Sequence, residues 1–279
     1  MKTRIIADST SDLTPEVRAR VHTVPLTLRF GEEEYIDGVT IDHRMFYEKL
    51  VESDVLPTTS QATPAAFGKA CRDAAAAGEE AVVITVASKL SGTYQSAVIA
   101  AEEYPGVRVV ESGSAAIGGG ILVERALQLA DEGLGAGEIA RRLEAEKEQI
   151  VLVALVDTLE YLRRGGRISA AAAVAGTLMN IKPVLAVTQG EIRVLGKARG
   201  SRQGNNLLVQ EINRAGGVDF TRPVLLGYTG LSDALLRKYV EDSRSLWEAG
   251  ASQLRTTAIG SVIGTHVGPG AVAVAFFRK

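Results

Sequence analysis

The chain has 279 residues, a formal net charge of −2 and 46% hydrophobic residues. This hydrophobic content excludes an intrinsically disordered protein, and the nearly balanced charge, without long runs of one sign, argues against nucleic-acid binding or a membrane-surface role. A chain of this length is predicted to bury a large core and to divide into two domains. The single cysteine, Cys71, excludes an internal disulfide and fits the reducing cytoplasm, which is the location we expect.

Short apolar runs predict parallel strands in the N-terminal half. Arg4–Ala7, Ala81–Ala87 and Val107–Val110 are rich in β-branched residues, and each precedes a stretch with apolar residues at helical spacing. The second run carries no charge, which is typical of a strand buried on both faces. Repeated strand–helix units predict a doubly wound parallel sheet.

A polar loop, Asp8-Ser9-Thr10-Ser11-Asp12, follows the first predicted strand. Its two carboxylates could bind a metal ion or accept a phosphoryl group. However, the Asp-x-Asp spacing of aspartyl-phosphate enzymes is absent, and no other acidic residues join them locally. We therefore predict that Asp8 and Asp12 accept hydrogen bonds from backbone N–H groups in a turn, and we expect no metal site.

A second polar loop, Ser88–Thr93, leads from the strand Ala81–Ala87 into a predicted helix. Ser91 is therefore expected at the carboxyl edge of the sheet, where ligands bind in open α/β folds. The unpaired N–H groups of a helix N-terminus favour an anion there. Serine is also a common helix N-cap, and that role explains Ser91 equally well. These residues alone leave both interpretations open.

From residue 150 onward the pattern changes. Ile150–Val156 predicts a buried strand, and the runs Pro183–Val187 and Glu191–Leu195 flank Thr188-Gln189-Gly190, which is typical of a hairpin. The segment Arg163–Ser169 holds three arginines around two glycines. This segment could clamp a phosphate or an acidic partner surface, or it could form a solvated helix end.

The segment Ala170–Met179 is composed of small and apolar residues on all sides and predicts a buried helix. Such a helix leaves room for an enclosed lipid tail, but tight helix packing needs the same residues. The apolar region is too short to span a bilayer, and the first residues of the chain run directly into a strand without the apolar segment of a signal peptide. We therefore expect a soluble protein.

The three histidines differ in their surroundings. His22 and His43 lie near charged residues and are predicted to be exposed, whereas His266 lies in an apolar, glycine-rich segment. A histidine in such a segment is more often a satisfied core or loop residue than a catalytic one. Because the surrounding glycines leave space for something bulky, we favour a ligand contact at His266.

Six separated motifs occur together in this chain: Asp8-Ser9-Thr10, Thr58–Gln61, Ser88–Thr93, Gly165–Ser169, Ile181-Lys182-Pro183 and Thr265–Gly270. In this order and spacing they resemble the DegV family of bacterial fatty-acid-binding proteins, over almost the whole chain. The resemblance implies a two-domain α/β fold. Residues 1–149 would form the doubly wound parallel sheet with the carboxylate-binding loops. Residues 150–279 would form an α/β domain with a mixed sheet, the buried alanine-rich helix and the His266 loop.

The resemblance also implies a ligand and its site. One long-chain fatty acid, such as palmitate, stearate or oleate, is expected in a buried tunnel, with no cofactor. Its carboxylate would be held by Thr59, Ser91 and His266. Further pocket or partner contacts are implied for Ser60, Gly92, Thr93, Arg167, Lys182 and Arg199.

The same resemblance implies a partner. A separate ATP-binding fatty acid kinase subunit would phosphorylate the bound carboxylate, so this chain would be a lipid-binding subunit without catalytic residues of its own. Transient contact with a membrane fits this role, and contact with nucleic acid does not.

Two other functions fit these residues. One is a stand-alone lipid carrier or sensor, which would use the same pocket. The other is an acyl hydrolase with Ser91 as nucleophile and His266 as base, although the Gly-x-Ser-x-Gly motif is absent around Ser91.

The chain also departs from the family pattern in two places. Ala62 stands where the family often has proline, which predicts a looser loop. Ala271–Ala275 is bulkier than the family's glycine-containing run and is expected to change the preferred acyl chain length.

Overall fold

The computed structural model describes residues 2–169 and 180–279. The strands in these ranges are β1 Thr3–Asp8, β2 His22–Val24, β3 Thr27–Phe30, β4 Glu33–Ile36, β5 Thr58–Ser60, β6 Glu80–Thr85, β7 Val107–Glu111, β8 Ile150–Leu155, β9 Ile181–Thr188, β10 Glu191–Arg199, β11 Val224–Tyr228, β12 Arg255–Ala258 and β13 Val272–Phe277. The helices are α1 Pro15–Arg18, α2 His43–Glu52, α3 Pro64–Ala76, α4 Thr93–Ala101, α5 Ala116–Asp131, α6 Ala136–Glu146, α7 Glu160–Arg164, α8 Gly200–Arg214, α9 Ala234–Asp242, α10 Arg244–Trp247 and α11 Ser261–Val267. The helix predicted over Ala170–Met179 lies outside the described residues.

The N-terminal half contains the predicted parallel sheet. Its strand order is β2-β1-β6-β7, and all three pairs are parallel. One face packs on α5 and α6 through residues such as Leu122 and Ile139. The other face packs on α3 through Phe67 and Cys71. Helices on both faces confirm the doubly wound arrangement and explain why the central residues of β6 are all apolar.

The C-terminal half contains the predicted mixed sheet, with strand order β10-β9-β8-β13-β11-β12. Its pairs are antiparallel except for β11 with β12. The predicted hairpin between β9 and β10 is confirmed. Its turn residues Gln189 and Gly190 have φ angles of 51° and 75°, as the tight turns that match strand twist require.

A third sheet of the described residues, with order β4-β3-β5, is antiparallel and belongs to the N-terminal half. Helix α11 belongs to the C-terminal half in sequence, but it contacts α2, β3 and β5 of the N-terminal half. Because α11 packs on the other half, the predicted domain boundary between residues 149 and 150 stays a prediction. None of the described helices combines the length and the apolar character needed to cross a bilayer.

Helix α11 packs closely on α2 because it has a glycine at the contact. A Cβ atom on Gly264 would lie 2.5 Å from the Tyr47 hydroxyl oxygen and 2.6 Å from a ring carbon of Phe46, and both aromatic side chains are fully buried. Gly264→Ala is therefore expected to destabilise the protein by about 1–3 kcal/mol, the usual cost of overpacking a core. The midpoint of urea unfolding measures this loss.

Gly68→Ala is the matched control, because a Cβ atom at this position in α3 meets no atom within 4 Å. It should stabilise the protein by roughly 0.5–1 kcal/mol, because alanine costs less backbone entropy than glycine in a helix. Equal midpoints for the two variants would contradict the close packing of α11 on α2.

Candidate functional site

A cavity of about 440 Å³ lies between the two halves of the molecule. This volume falls in the range of small-molecule sites, about 300–1,000 Å³. Most described residues that line it are apolar, and they come from β8, β9, β13, α11 and the loops that follow β6 and β7. The polar side chains and the glycine in the lining are Thr10, Thr59, Ser60, Gln61, Ser91, Gly92, Arg167 and His266.

The structure places most of the predicted site residues at this cavity. Thr93 is fully buried behind Ser91, with the two hydroxyl oxygens 2.8 Å apart. Lys182 and Arg199 lie outside the lining that the described residues form. Lys182 pairs with Asp157, and Arg199 is exposed at the end of β10.

Thr59 and His266 meet across the cavity wall. Thr59, the middle residue of β5, pairs with Leu28 of β3. Its side chain is half-buried, whereas its neighbours in the strand are exposed. His266 lies in the last turn of α11, and its Nε2 atom is 2.9 Å from Oγ1 of Thr59. These residues are separated by 207 positions in sequence, so only the tertiary fold brings them together.

His266 is neutral at physiological pH. Burial lowers its pKa to about 4, and the positive charge of Arg167 contributes in the same direction. Its Nδ1 atom is buried without a hydrogen-bond partner. A buried N–H without an acceptor is costlier than an unfilled acceptor, so the proton belongs on Nε2, where it is donated to Thr59. The Thr59 hydroxyl hydrogen is then available to a ligand.

Ser91 lies in a loop and not directly at the end of the strand. Strand β6 ends at Thr85, and α4 begins at Thr93 with Gly92 as its N-cap. The N-cap interpretation of Ser91 is therefore wrong. Its hydroxyl oxygen instead accepts a hydrogen bond from the Thr93 backbone N–H at 3.3 Å.

Two glycines let the loops approach the site closely. A Cβ atom on Gly92 would lie 2.1 Å from Oε1 of Gln61, so the Ser91 loop packs directly on the residue after β5. A Cβ atom on Gly165 would lie 2.2 Å from Nδ1 of His266. A side chain at Gly92 would displace the exposed end of Gln61, and one at Gly165 would displace the His266 ring.

Arg167 supplies the only formal positive charge among the described lining residues. Its Nε donates to the carbonyl of Leu90 at 3.1 Å, and its Nη1 donates to the carbonyl of Gly165 at 2.7 Å. These bonds join the Ser91 loop to the turn that contacts His266. The guanidinium is thus held at the polar part of the cavity.

Three buried carboxylates anchor the loops that carry these groups. Asp8 accepts from the Thr10 backbone N–H at 2.9 Å, which confirms the predicted turn, and from the Val86 N–H at 2.7 Å at the start of the Ser91 loop. For Asp12 the predicted turn is wrong, because its carboxyl group accepts a hydrogen bond from the distant Gly260 backbone N–H at 2.7 Å. This bond ties the Asp12 loop to the residue that precedes α11.

Asp37 is the third carboxylate, and sequence reasoning missed it. It accepts a hydrogen bond from the Ser261 hydroxyl at the start of α11. The dipeptide Asp37-Gly38 is typical of a surface turn, so no local signal indicates this distant partner. Burial raises the pKa of Asp12 to about 8, and repulsion from Asp37 adds to the effect.

The prediction that His22 and His43 are exposed is wrong, since both are half-buried. His43 begins α2, and its two ring nitrogens lie 2.8 Å from the carbonyl oxygen of Gly230 and 3.2 Å from that of Ile259. It therefore connects α2 to the C-terminal half, and it does not line the cavity.

The hydrogen bonds at the cavity do not form a Ser–His pair. His266 Nε2 is engaged by Thr59, and the Ser91 hydroxyl is engaged by Thr93. A serine nucleophile needs its base within hydrogen-bond distance. Within residues 2–169 and 180–279, no group of three or more His, Cys, Asp or Glu side chains is placed to hold a metal ion.

Comparison with known proteins identifies the family. The family model described as "Uncharacterised protein, DegV family" matches residues 2–279. The chain belongs to the DegV family. A DegV domain-containing protein of Deinococcus radiodurans is 36% identical over 287 residues, which cover 99% of this chain and 98% of the relative. One from Caldanaerobacter subterraneus is 34% identical and covers 100% of this chain and 99% of the relative.

Solved DegV structures share the fold. A fatty-acid-binding DegV protein from Thermus thermophilus superposes with a TM-score of 0.87 at 30% identity, with complete coverage of both chains. A DegV protein from Eubacterium eligens loaded with heptadecanoic acid has a TM-score of 0.85 at 25% identity, and covers 99% of this chain and 100% of its own. The predicted DegV-like α/β fold is therefore confirmed.

Proposed function

We propose that this DegV protein binds one long-chain fatty acid in the cavity, with the carboxylate at Thr59, Ser91 and His266. The observation that carries the proposal is the hydrogen bond between Thr59 and His266 at the polar part of an otherwise apolar cavity. The fatty acids bound by the DegV proteins from Thermus thermophilus and Eubacterium eligens support it.

The groups at the cavity match the two chemically different ends of such a ligand. Hydroxyl donors of Thr59 and Ser91 suit a carboxylate, and a hydrogen bond to a charged group contributes about 1.5–3 kcal/mol. The Arg167 guanidinium offsets the negative charge from nearby. Each buried methylene contributes about 0.8 kcal/mol, so an apolar tail supplies most of the affinity.

The proposal extends to the fate of the carboxylate. Ser60, Gln61 and Gly92 line the cavity and are also exposed, so the carboxylate end is accessible from the surface. Neutral hydroxyl donors leave a carboxylate oxygen more nucleophilic than a bidentate arginine pair would. Both features suit presentation to a separate ATP-dependent kinase subunit in the cytoplasm, with Lys182 and Arg199 as candidate partner contacts.

Reconstitution with a DegV-associated kinase subunit, ATP and fatty acid tests this extension. We expect acyl-phosphate to form only when the DegV protein is present. If no acyl-phosphate forms while the fatty acid stays bound, the protein is a lipid carrier or sensor instead.

Native mass spectrometry of the purified protein tests fatty-acid binding itself. The wild type should carry one equivalent of fatty acid. Thr59→Val and Ser91→Ala should each lower the affinity by roughly 10- to 100-fold, because each removes a hydrogen bond to a charged group.

Thr58→Val is the matched control, since Thr58 is the exposed neighbour of Thr59 in β5 and does not line the cavity. It should retain the fatty acid. A wild-type protein that purifies empty, and stays empty when it is offered fatty acids, would refute the proposal.

A further inference from the structure

Strand register shows how the floor of the cavity is built. In β8, Ala154 lies opposite Ala273 of β13 on one side and Leu185 of β9 on the other. Directly opposite residues of antiparallel strands share a face, so these side chains form one row across the sheet. Since Ala154 and Ala273 are small, this row leaves space for a ligand above it.

The next row on the same face is larger. Leu152 lies between Val187 of β9 and Ala275 of β13, two residues further along each strand, or about 7 Å. Leu152 and Val187 both line the cavity, whereas Ala275 is completely buried beneath it. The side chains of Leu152 and Val187 therefore reach further into the cavity than those of Ala154 and Ala273.

The polar end lies at the opposite end of this floor. Val156 follows β8 and packs in one cluster with Ala271 and Val267, and Val267 is the residue after His266. Along β8 the floor thus runs from Val156, which packs with the last turn of α11, through Ala154 to Leu152. An acyl chain anchored near His266 would point its methyl end towards Leu152 and Val187.

A cleft separate from the cavity lies beyond the row that contains Leu152 and Val187. It has a volume of about 400 Å³, and its described lining includes Val187, Ile150, Gly113 and Ser114. Val187 and its neighbour Ala186 line both spaces, Leu152 lines only the cavity, and Ile150, the next residue after Leu152 on this face of β8, lines only the cleft. Val187 therefore stands between the cavity and the cleft, and Leu152, its partner across the strand pair, closes the cavity beside it.

We propose that Leu152 and Val187 form the end wall of the fatty-acid cavity and set the longest acyl chain that the protein accepts. This inference rests on the proposed function. Truncation of the wall lengthens the cavity towards the cleft and admits further methylene groups, which then leave water on binding. Each additional buried methylene raises affinity by about fourfold.

A series of saturated fatty acids of increasing length, measured by competition binding, tests the wall. In the wild type the affinity should rise with length and then stop rising. In Leu152→Ala the rise should continue for about two to three further carbons, because the substitution removes three side-chain carbons. Val187→Ala, at a half-buried position, should extend the rise as well, by fewer carbons.

Leu155→Ala is the matched control. Leu155 is in the same strand and is also buried, but it faces the opposite side of the sheet, where it packs with Val153 and against Gly204 of α8. It should leave the length preference unchanged. Ala273→Val, which fills the floor nearer the carboxylate, should shorten the preferred chain.

The outcomes separate this inference from the proposed function. If the wild type binds fatty acids and both Leu152→Ala and Val187→Ala keep its length limit, the end wall is refuted while fatty-acid binding stands. If Leu155→Ala shifts the limit equally, the change reflects general loosening and also refutes the wall. A wild type that binds no fatty acid of any length refutes the proposed function itself.

Discussion

Asp12→Asn is expected to make the protein more stable at pH 8 and to weaken the fall in stability between pH 4 and pH 8. Burial raises the pKa of Asp12 from 3.8 to about 8, and its Oδ2 atom is buried without a partner. Between these values the folded protein keeps a proton that the unfolded chain releases, so stability falls as pH rises. Asparagine keeps the acceptor for Gly260 and never ionises. The gain at pH 8 should be about 2–5 kcal/mol.

Urea unfolding between pH 6.5 and pH 8 measures this effect, since the contribution of His266, which has the opposite sign, changes only below pH 6.5. The pKa of His266 is lowered from 6.5 to about 4, so its contribution is present above pH 6.5 and is lost as pH falls towards 4. Asp131→Asn is the control, because the Asp131 side chain is 58% exposed at the surface beside Arg20. It should change stability by no more than about 0.5 kcal/mol. A less stable Asp12→Asn protein at pH 8 would mean that Asp12 is needed as a charged acceptor at α11.

Gly165→Ala is expected to displace His266 and to reduce fatty-acid affinity by about tenfold or more, the equivalent of one hydrogen bond to a charged group. The backbone of Gly165 has φ −71° and ψ −8°, which alanine adopts without strain. The expected effect therefore arises from the added methyl group alone, which would lie 2.2 Å from Nδ1 of His266. The ring must then move away from Thr59, and the donor arrangement at the carboxylate is lost.

An NMR titration of His266, combined with fatty-acid competition binding, measures both consequences. Once the ring leaves its buried position, its pKa should rise from about 4 towards 6.5. Gly137→Ala serves as the control, because a Cβ atom there in α6 meets no atom within 4 Å. If Gly165→Ala keeps both the low pKa and the affinity, the position of the His266 ring does not depend on this contact.

The local conformation of this chain follows from its sequence. The uncharged run of β6 predicts a parallel strand because only a strand buried on both faces tolerates such uniform apolarity, and the runs of β1 and β7 repeat the strand–helix pattern. Gln189-Gly190 predicts the hairpin of β9 and β10 because the turn requires positive φ angles. The motifs around Thr59, Ser91 and His266 identified the DegV family and the residues that line the cavity. These signals are all short-range, so a single sequence carries them.

The tertiary structure alone decided how these pieces meet. Thr59 and His266 are hydrogen-bonded because α11 packs on the N-terminal half. No local periodicity in the sequence predicts this packing. Asp12 and Asp37 have the appearance of turn residues in sequence, yet they hold the start of α11 from more than 200 positions away. The end wall at Leu152 depends on the register of three strands. A sequence pattern specifies which face of an element is apolar, whereas the partners of that face are set by long-range packing, and so the site is a property of the folded chain.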